Sequence, residues 1–281
     1  MTKSFAVLLS LMTSFFTVFL PRWKRLTLRA RLYDGLQPFE VVKIGDKFLN
    51  LFIPDRTCVY WAKEGPESEP MTNAWIRSFN NGETFIDIGA NIGLYSLMAA
   101  AHGVSRVYAI EPNPFSYSVL ARNIIINNFG NVIIPLCLVM NEKTSVVTFK
   151  LGGLHAGGIK NEIVNENQQS AEKSIMAAAF SLDELIRIQG ISSVNHLKID
   201  VDGLELEILN GATGLLSDKT LKSVLVEDNL KKDGRESGIN SFLMQFGFSE
   251  SHAFEGDGLP NKIFTRSCFA KRKPGGFRKA T

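Results

Sequence analysis

The sequence predicts a doubly wound, mostly parallel α/β sheet that carries an N-terminal helical and β appendage. Short apolar runs alternate with segments of helical period, a pattern that builds parallel sheets with helices on both faces. Two of those runs end in an acid, the first followed by a glycine turn and a helix start. The 281 residues are 45% hydrophobic, enough to bury the core of one large domain.

The chain opens on a basic helical segment, residues 1–35. Within it Phe5 to Leu20 is an uncharged run of 16 residues, shorter than the ~20 apolar residues that span a bilayer. It has no small-residue cleavage site, which argues against a removed signal peptide. Ser10, Thr13, Ser14 and Thr17 fall on one helical face, so the run reads as a weakly amphipathic helix that lies on a membrane or packs on the domain. A signal anchor is the alternative, and the basic residues after it would keep the following domain on the cytoplasmic side. Residues 36–80 read as a small β and helix cap, with strands near 41–44 and 48–53, a loop from Gly65 to Pro70 and a helix over 71–80 that stops at Asn80-Asn81-Gly82.

The repeating domain covers 81–270. Strands are expected at 84–88, 106–110, 132–138, 196–201 and 222–227, and helices at 92–102, 114–128, 182–189, 204–216 and 238–246. Ser145 to Lys150 reads as an inserted strand, 151–175 as a long Gly- and Asn-rich functional or disordered loop, and 262–269 as a last strand. Residues 271–281 read as a basic disordered tail.

Net charge is +3, from 31 basic and 28 acidic side chains, too mild a balance to argue for nucleic acid. The positive charge gathers at the two ends, as at Arg22, Lys24 and Arg25 or Lys271, Arg272 and Lys273, which suits an anionic membrane surface or a solvated tail. Cys58, Cys137 and Cys268 are odd in number and lack metal-ligand spacing, so a reducing, cytoplasmic setting is expected. Cys137 sits in an apolar run and is expected in the core.

Phe85-Ile86-Asp87-Ile88-Gly89-Ala90-Asn91-Ile92-Gly93 carries the most chemistry. Gly89 and Gly93 allow backbone to approach a ligand where a Cβ would collide. Glu111 follows Gly89 by 22 residues, at the end of the next strand, where a carboxylate meets ribose hydroxyls. A dinucleotide fingerprint would need glycine at 91 and 94, which hold Asn91 and Leu94, and no Lys-Ser or Lys-Thr pair completes a P-loop. The remaining pattern suits a nucleoside with an amino-acid tail and no pyrophosphate, the description of S-adenosylmethionine. A glycine turn that merely joins strand to helix is the alternative.

His196-Leu197-Lys198-Ile199-Asp200-Val201-Asp202-Gly203-Leu204-Glu205 is a second strand that ends in acids. Asp87, Glu111, Asp200 and Glu227 all fall at carboxyl ends of strands, the ligand edge of an open α/β sheet. Asp202 reads equally as the cap of the next helix. Asp200, Asp228 and Asn229 could offer oxygen ligands to Mg²⁺, although the last two read as turn openers and no metal site is assigned. Among the histidines, His196 opens its strand at the wrong edge for catalysis, His102 lies near a helix C-terminus, His252 has no constellation and His155 is a loop residue within possible reach of substrate.

These motifs, with Ala109-Ile110-Glu111-Pro112-Asn113-Pro114 and Ser181-Leu182-Asp183-Glu184-Leu185, resemble the FkbM-type S-adenosylmethionine-dependent methyltransferases over about residues 69–250. Asp202 departs from the glutamate usual there. The resemblance implies a Rossmann-like class I methyltransferase that O-methylates a glycan, a lipid-linked sugar or a secondary metabolite. It implies cofactor contacts from Asp87, Gly89, Asn91, Gly93, Glu111 and Asn113. Asp200 is the candidate general base and Glu227 the second. Rival readings are a nicotinamide oxidoreductase, opposed by Asn91 and Leu94, and a non-catalytic membrane- or glycan-associated protein that keeps a nucleotide-binding fold. Acceptor choice is expected from 38–70 and 151–175.

Overall fold

A computed structural model describes residues 2–36, 38–44, 47–158, 160–164, 172–228, 238–254 and 260–266. The chain divides into two units, Met1–Phe39 and Glu40–Thr281. The first is a pair of helices, α1 (Thr2–Phe16) and α2 (Arg22–Gly35). Among the described residues no helix is long and apolar enough to cross a membrane.

The second unit opens with a hairpin, β1 (Phe39–Ile44) and β2 (Lys47–Phe52), then three short helices, α3 (Arg56–Lys63), α4 (Gly65–Ser68) and α5 (Pro70–Arg77). Asp55 caps α3, its Oδ1 accepting from Thr57 and Cys58 N–H at 2.9 and 3.0 Å. The alternation that follows is β3 (Thr84–Ile88), α6 (Leu94–Ala101), β4 (Arg106–Ile110), α7 (Pro114–Ile126) and β5 (Ile133–Leu136). An insertion supplies β6 (Val139–Met140), β7 (Ser145–Lys150), β8 (Glu162–Val164) and β9 (Ser174–Phe180). The chain then returns through α8 (Leu182–Gln189), β10 (His196–Ile199), α9 (Glu205–Asn210), α10 (Thr213–Ser217), β11 (Ser223–Glu227), α11 (Ile239–Gln245), β12 (Phe248–Glu250) and β13 (Asn261–Arg266).

The main sheet has seven strands in the order β12-β13-β11-β10-β3-β4-β5, parallel from β11 to β5, with β13 running antiparallel between β11 and the edge strand β12. Its strands are buried on both faces, which explains their near-continuous apolar character. Phe85, Val107, Ala109 and Leu225 pack on one side with Trp75, Leu97 and Leu120. Ile86, Ile110, Leu197 and Val224 pack on the other with Leu185, Leu209 and Leu243. The hairpin joins the first core through side-chain amides that imitate a strand edge. Asn123 Oδ1 accepts from Phe52 N–H at 2.7 Å, and Asn127 both accepts from Asn50 N–H and donates to Asn50 O.

Several expectations are corrected. The 204–216 helix is two helices: the Gly211 carbonyl accepts from Asp183 N–H at 3.0 Å, and Gly211 passes so close to the insertion that a Cβ would lie 2.6 Å from Asn141 O. The Asp183 carboxylate then caps the second, accepting from Gly214 and Leu215 N–H at 2.7 and 2.9 Å. The strand expected at 132–138 is shorter, β5 ending at Leu136 in the main sheet, and the apolar run continues into β6, which joins the four-stranded sheet β6-β9-β7-β8. Cys137 lies at that crossover and is exposed, not core. Helices α3 and α4 and strands β6, β8, β9 and β12 were not expected, and α4 stands where a loop from Gly65 to Pro70 was expected. In β9 the Met-Ala-Ala-Ala stretch lacks β-branched residues, and pairing with β7 overrides its propensity. The basic tail 271–281, Asn229 and Cys268 lie outside the described residues.

Candidate active site

A cavity of about 220 Å³ opens at the carboxyl ends of β3, β4, β10 and β11. The turn after β3 shapes its floor. Gly89 and Gly93 have φ of +80° and +91°, and Asn91, a residue type tolerant of the left-handed region, has φ +51°. At Gly89 the constraint is steric as well, since a Cβ would sit 1.9 Å from Asp200 O. Gly89 and Ala90 N–H both donate to Ile110 O at 3.0 Å, which ties the turn to the end of β4.

Glu111 completes that tie. Its Oε2 accepts from Asn91 N–H and its Oε1 from Asn113 N–H, each at 2.8 Å. Burial pushes the carboxyl up to about 7 against those two backbone donors, with Asp87 and Asp202 adding to the rise. Asn113 is itself wholly buried and caps α7, its Oδ1 accepting from Phe115 N–H at 3.0 Å.

Behind the turn lies a charged cluster on one face of the sheet. Register places Lys198 of β10 beside Asp87 of β3, and both are 1% exposed. The Lys198 Nζ donates to Asp200 Oδ2 at 2.6 Å, stands 3.8 Å from Asp87 Oδ1 and lies 5.1 Å from the centre of the Tyr95 ring. Burial opposes the lysine's charge, but Asp200, Asp87 and Glu69 outweigh it and raise its pKa. Asp87 Oδ2 accepts from Ser96 Oγ at 2.6 Å, and burial raises its pKa against the attraction of Lys198. Glu69, at the start of α5, is buried with its Oε2 accepting from Thr72 Oγ1 at 2.8 Å and Asn261 Nδ2 at 3.2 Å. Burial raises the Glu69 pKa too.

Of the residues expected from the sequence, Gly89, Asn91, Glu111, Asp200 and Glu227 line the cavity together. Asp87, Gly93 and Asn113 brace its wall without lining it. Asp202 also lines the cavity and is not a helix cap: its Oδ2 accepts from Asn161 N–H at 2.9 Å, and α9 starts with no side-chain cap. Asp228 is paired with Lys262 Nζ at 2.6 Å, away from the cavity wall. No group of three His, Cys, Asp or Glu side chains among the described residues could hold a metal ion. His155 does not line the cavity, whereas Gly158 and Asn161 of the same loop do, as do Trp61 and Glu69 from the cap segment. The Trp61 indole N–H donates to Gly157 O at 3.1 Å and ties those two segments together.

Lys198, Glu69 and Tyr95 are the site residues that sequence reasoning missed. For Lys198 the signal was present: it stands between His196 and Asp200 on a polar face of a strand whose other face, Leu197 and Ile199, is apolar, in a parallel sheet that is covered on both sides. Glu69 gave none, because its place depends on how the cap folds back.

A family model described as the Methyltransferase FkbM domain matches residues 87–254. The hexuronic acid methyltransferase AglP of Haloferax volcanii is 28% identical over 150 residues, 53% of this chain and 57% of that protein. A tRNA (guanine(37)-N(1))-methyltransferase of Batrachochytrium dendrobatidis is 25% identical over 55% of this chain and 33% of its own length. The crystal structure of an FkbM methyltransferase from Methylobacillus flagellatus superposes with a TM-score of 0.48 at 15% identity, covering 74% of this chain and 52% of that one. The chain spans less than two thirds of the length of each of these proteins.

Proposed function

The chain belongs to the FkbM methyltransferase family, whose methyl donor is S-adenosylmethionine, and on that premise we propose that it methylates a hydroxyl oxygen of a sugar, a lipid-linked glycan or a secondary metabolite. The observation that carries the reading is the lining of the cavity. Glu69, Glu111, Asp200, Asp202 and Glu227 converge on it with Lys198 as the one basic side chain among the described lining residues. Such a lining disfavours a phosphate backbone and suits an uncharged, hydroxylated acceptor. The hexuronic acid methyltransferase supports a sugar as the acceptor, although a hexuronic acid is itself an anion.

The wall fits the cofactor. Asn91 Oδ1 is buried without a hydrogen-bond partner among the described residues, an acceptor suited to the ammonium of an amino-acid tail. Each Glu111 oxygen holds one backbone N–H and keeps acceptor capacity for one ribose hydroxyl. Asp87, Gly93 and Asn113 hold the turn and the helix start that carry these contacts. S-adenosylmethionine, when bound, supplies a methyl group on a positively charged sulfur. The chain's own work is alignment, exclusion of water and acceptance of the hydroxyl proton. Asp200 and Glu227 are the strand-end carboxylates for that last role, with Lys198 orienting Asp200. Glu69 joins them, because its buried carboxylate holds a proton more tightly than an ordinary one and is the better base.

The relative that acts on tRNA gives the second reading, an RNA acceptor. Both are tested with the whole chain and S-adenosylmethionine labelled on the methyl group, offered neutral sugars, lipid-linked glycans, uronic acids and transfer RNA. Alkali-stable label on a sugar or glycan, as an ether, is expected. Label on RNA alone, or an alkali-labile ester, refutes methylation of a sugar, glycan or metabolite hydroxyl. We also place the enzyme in the cytoplasm, in keeping with its free Cys58 and Cys137.

A further inference from the structure

The N-terminal helix pair is built inside out. On α1 the hydroxyl face turns toward α2: Thr17 is 7% exposed, and Ser14 Oγ accepts from Arg29 Nη2 at 2.9 Å. Thr13 and Thr17 spend their hydroxyl protons on the helix itself, donating to Leu9 O at 2.8 Å and Thr13 O at 2.7 Å. Arg25 of α2 also has its Nε buried. The opposite arc of α1 is apolar and faces outward, with Leu11, Phe15 and Phe16 exposed by 63, 72 and 70%, and Phe19 just beyond the helix by 92%. Trp23, Leu26 and Tyr33 of α2 are exposed as well. Water would favour the reverse arrangement, with the apolar arc in the seam and the hydroxyls outside.

We infer that residues 1–36 form an in-plane anchor that seats this arc in the interface of an anionic lipid bilayer. Charge selects the occupant. Residues 1–39 hold six basic side chains against Asp34 alone, and Arg22, Lys24 and Arg31 are exposed on the same helix pair. A second copy of the chain could cover the apolar arc but would set like charges against each other, whereas anionic headgroups match both features. Length selects the orientation. The 15 residues of α1 reach about 22 Å at ~1.5 Å per residue, short of the ~30 Å hydrocarbon core. Trp23 and Tyr33 are the residue types that settle at the headgroup level. The inference rests on this unit alone and stands apart from the choice of methyl acceptor.

The test is flotation of the purified full chain with vesicles of phosphatidylcholine, with and without phosphatidylserine. The chain should float with the anionic vesicles, at least about tenfold less with the neutral ones, and come off in alkaline carbonate. The triple variant Leu11→Ser, Phe15→Ser, Phe16→Ser should stay in the aqueous fraction while keeping the native unfolding midpoint. A second variant, Arg22→Gln, Lys24→Gln, Arg31→Gln, should lose the preference for phosphatidylserine. A chain that ignores both vesicles, a serine variant that floats as well as the native chain, or a lipid-free dimer dissolved by that variant each overturns the inference. Resistance to alkaline extraction overturns the in-plane placement.

Discussion

Replacing Glu111 by glutamine tests the cofactor wall at its most informative atom. The native carboxylate offers about four acceptor positions, and Asn91 and Asn113 N–H occupy one on each oxygen at 2.8 Å. The remaining positions face two ribose hydroxyls in the proposed complex. Glutamine keeps one carbonyl oxygen and turns an NH₂ toward a backbone N–H, so one half of the clamp and one ligand contact are lost together. A hydrogen bond to a charged group contributes about 1.5–3 kcal/mol, which makes the expected loss of affinity for S-adenosylmethionine roughly ten- to a hundredfold. The variant also has a pH signature. Burial lifts the native carboxyl from 4.5 to about 7, and the ligand's hydroxyls favour its charged form. Native affinity should therefore fall about tenfold per pH unit below neutrality and level off above it, while the glutamine variant loses this dependence. Without ligand the sign reverses. A carboxyl with a raised folded pKa gives its full stability at pH below its ordinary value and loses it as pH rises toward 7. Calorimetric titration and thermal unfolding, each at about pH 5.5 and 8, measure both effects. Equal affinity in a folded Glu111→Gln protein, or native affinity indifferent to pH, removes Glu111 from the site.

Gly89→Ala places a methyl 1.9 Å from Asp200 O at a φ of +80°, so stability should drop by about 2–4 kcal/mol in a denaturant melt; a loss under about 0.5 kcal/mol would show that the turn is not fixed by this approach. Glu69→Gln and Asp200→Asn should each lower turnover about a hundredfold or more while leaving cofactor affinity within about threefold, and full turnover in either folded variant removes that residue as the base. At the far end of the strands, His196 Nε2 lies 2.7 Å from Glu83 and its Nδ1 2.7 Å from Ser223 Oγ, which also accepts from the Trp75 indole N–H at 2.8 Å. Burial would raise the Glu83 pKa, but hydrogen bonds from His196, Lys222 and Asn80 hold it far below the ordinary carboxylate range. That stability is present above the ordinary pKa and is lost as pH falls below it. Glu83→Gln should cost about 3–5 kcal/mol at neutral pH and progressively less in acid, with unaltered cofactor binding; an unchanged acid limb contradicts this.

The parallel core was legible because its strands are short, apolar and bounded by turn residues, and Asp87, Glu111, Asp200 and Glu227 mark their ends. Local chemistry sets those positions, and the main strands fall within a few residues of expectation. What escaped depends on distant partners. Strand β9 exists because β7 lies beside it, not because Met-Ala-Ala-Ala favours extension. The α9–α10 break coincides with hydrogen bonds from Asp183, whose N–H donates to Gly211 O and whose carboxylate caps α10. Cys137 is exposed because an apolar run is shared between two sheets. In the site, the glycine turn and Glu111 could be read from spacing, whereas Glu69 arrives from a cap whose docking is set by the side chains of Asn123 and Asn127. The inverted helix pair was half visible: the hydroxyl face could be read from the sequence, but which way it turned could not.

The most direct test of the account is an equilibrium titration of the whole chain with S-adenosylmethionine, with NAD as the control, repeated for Glu111→Gln. Saturable binding of S-adenosylmethionine alone, weakened by the substitution, is the predicted result. Binding of NAD in its place, or S-adenosylmethionine binding that the substitution leaves untouched, would contradict the placement of the cofactor at the ends of β3 and β4.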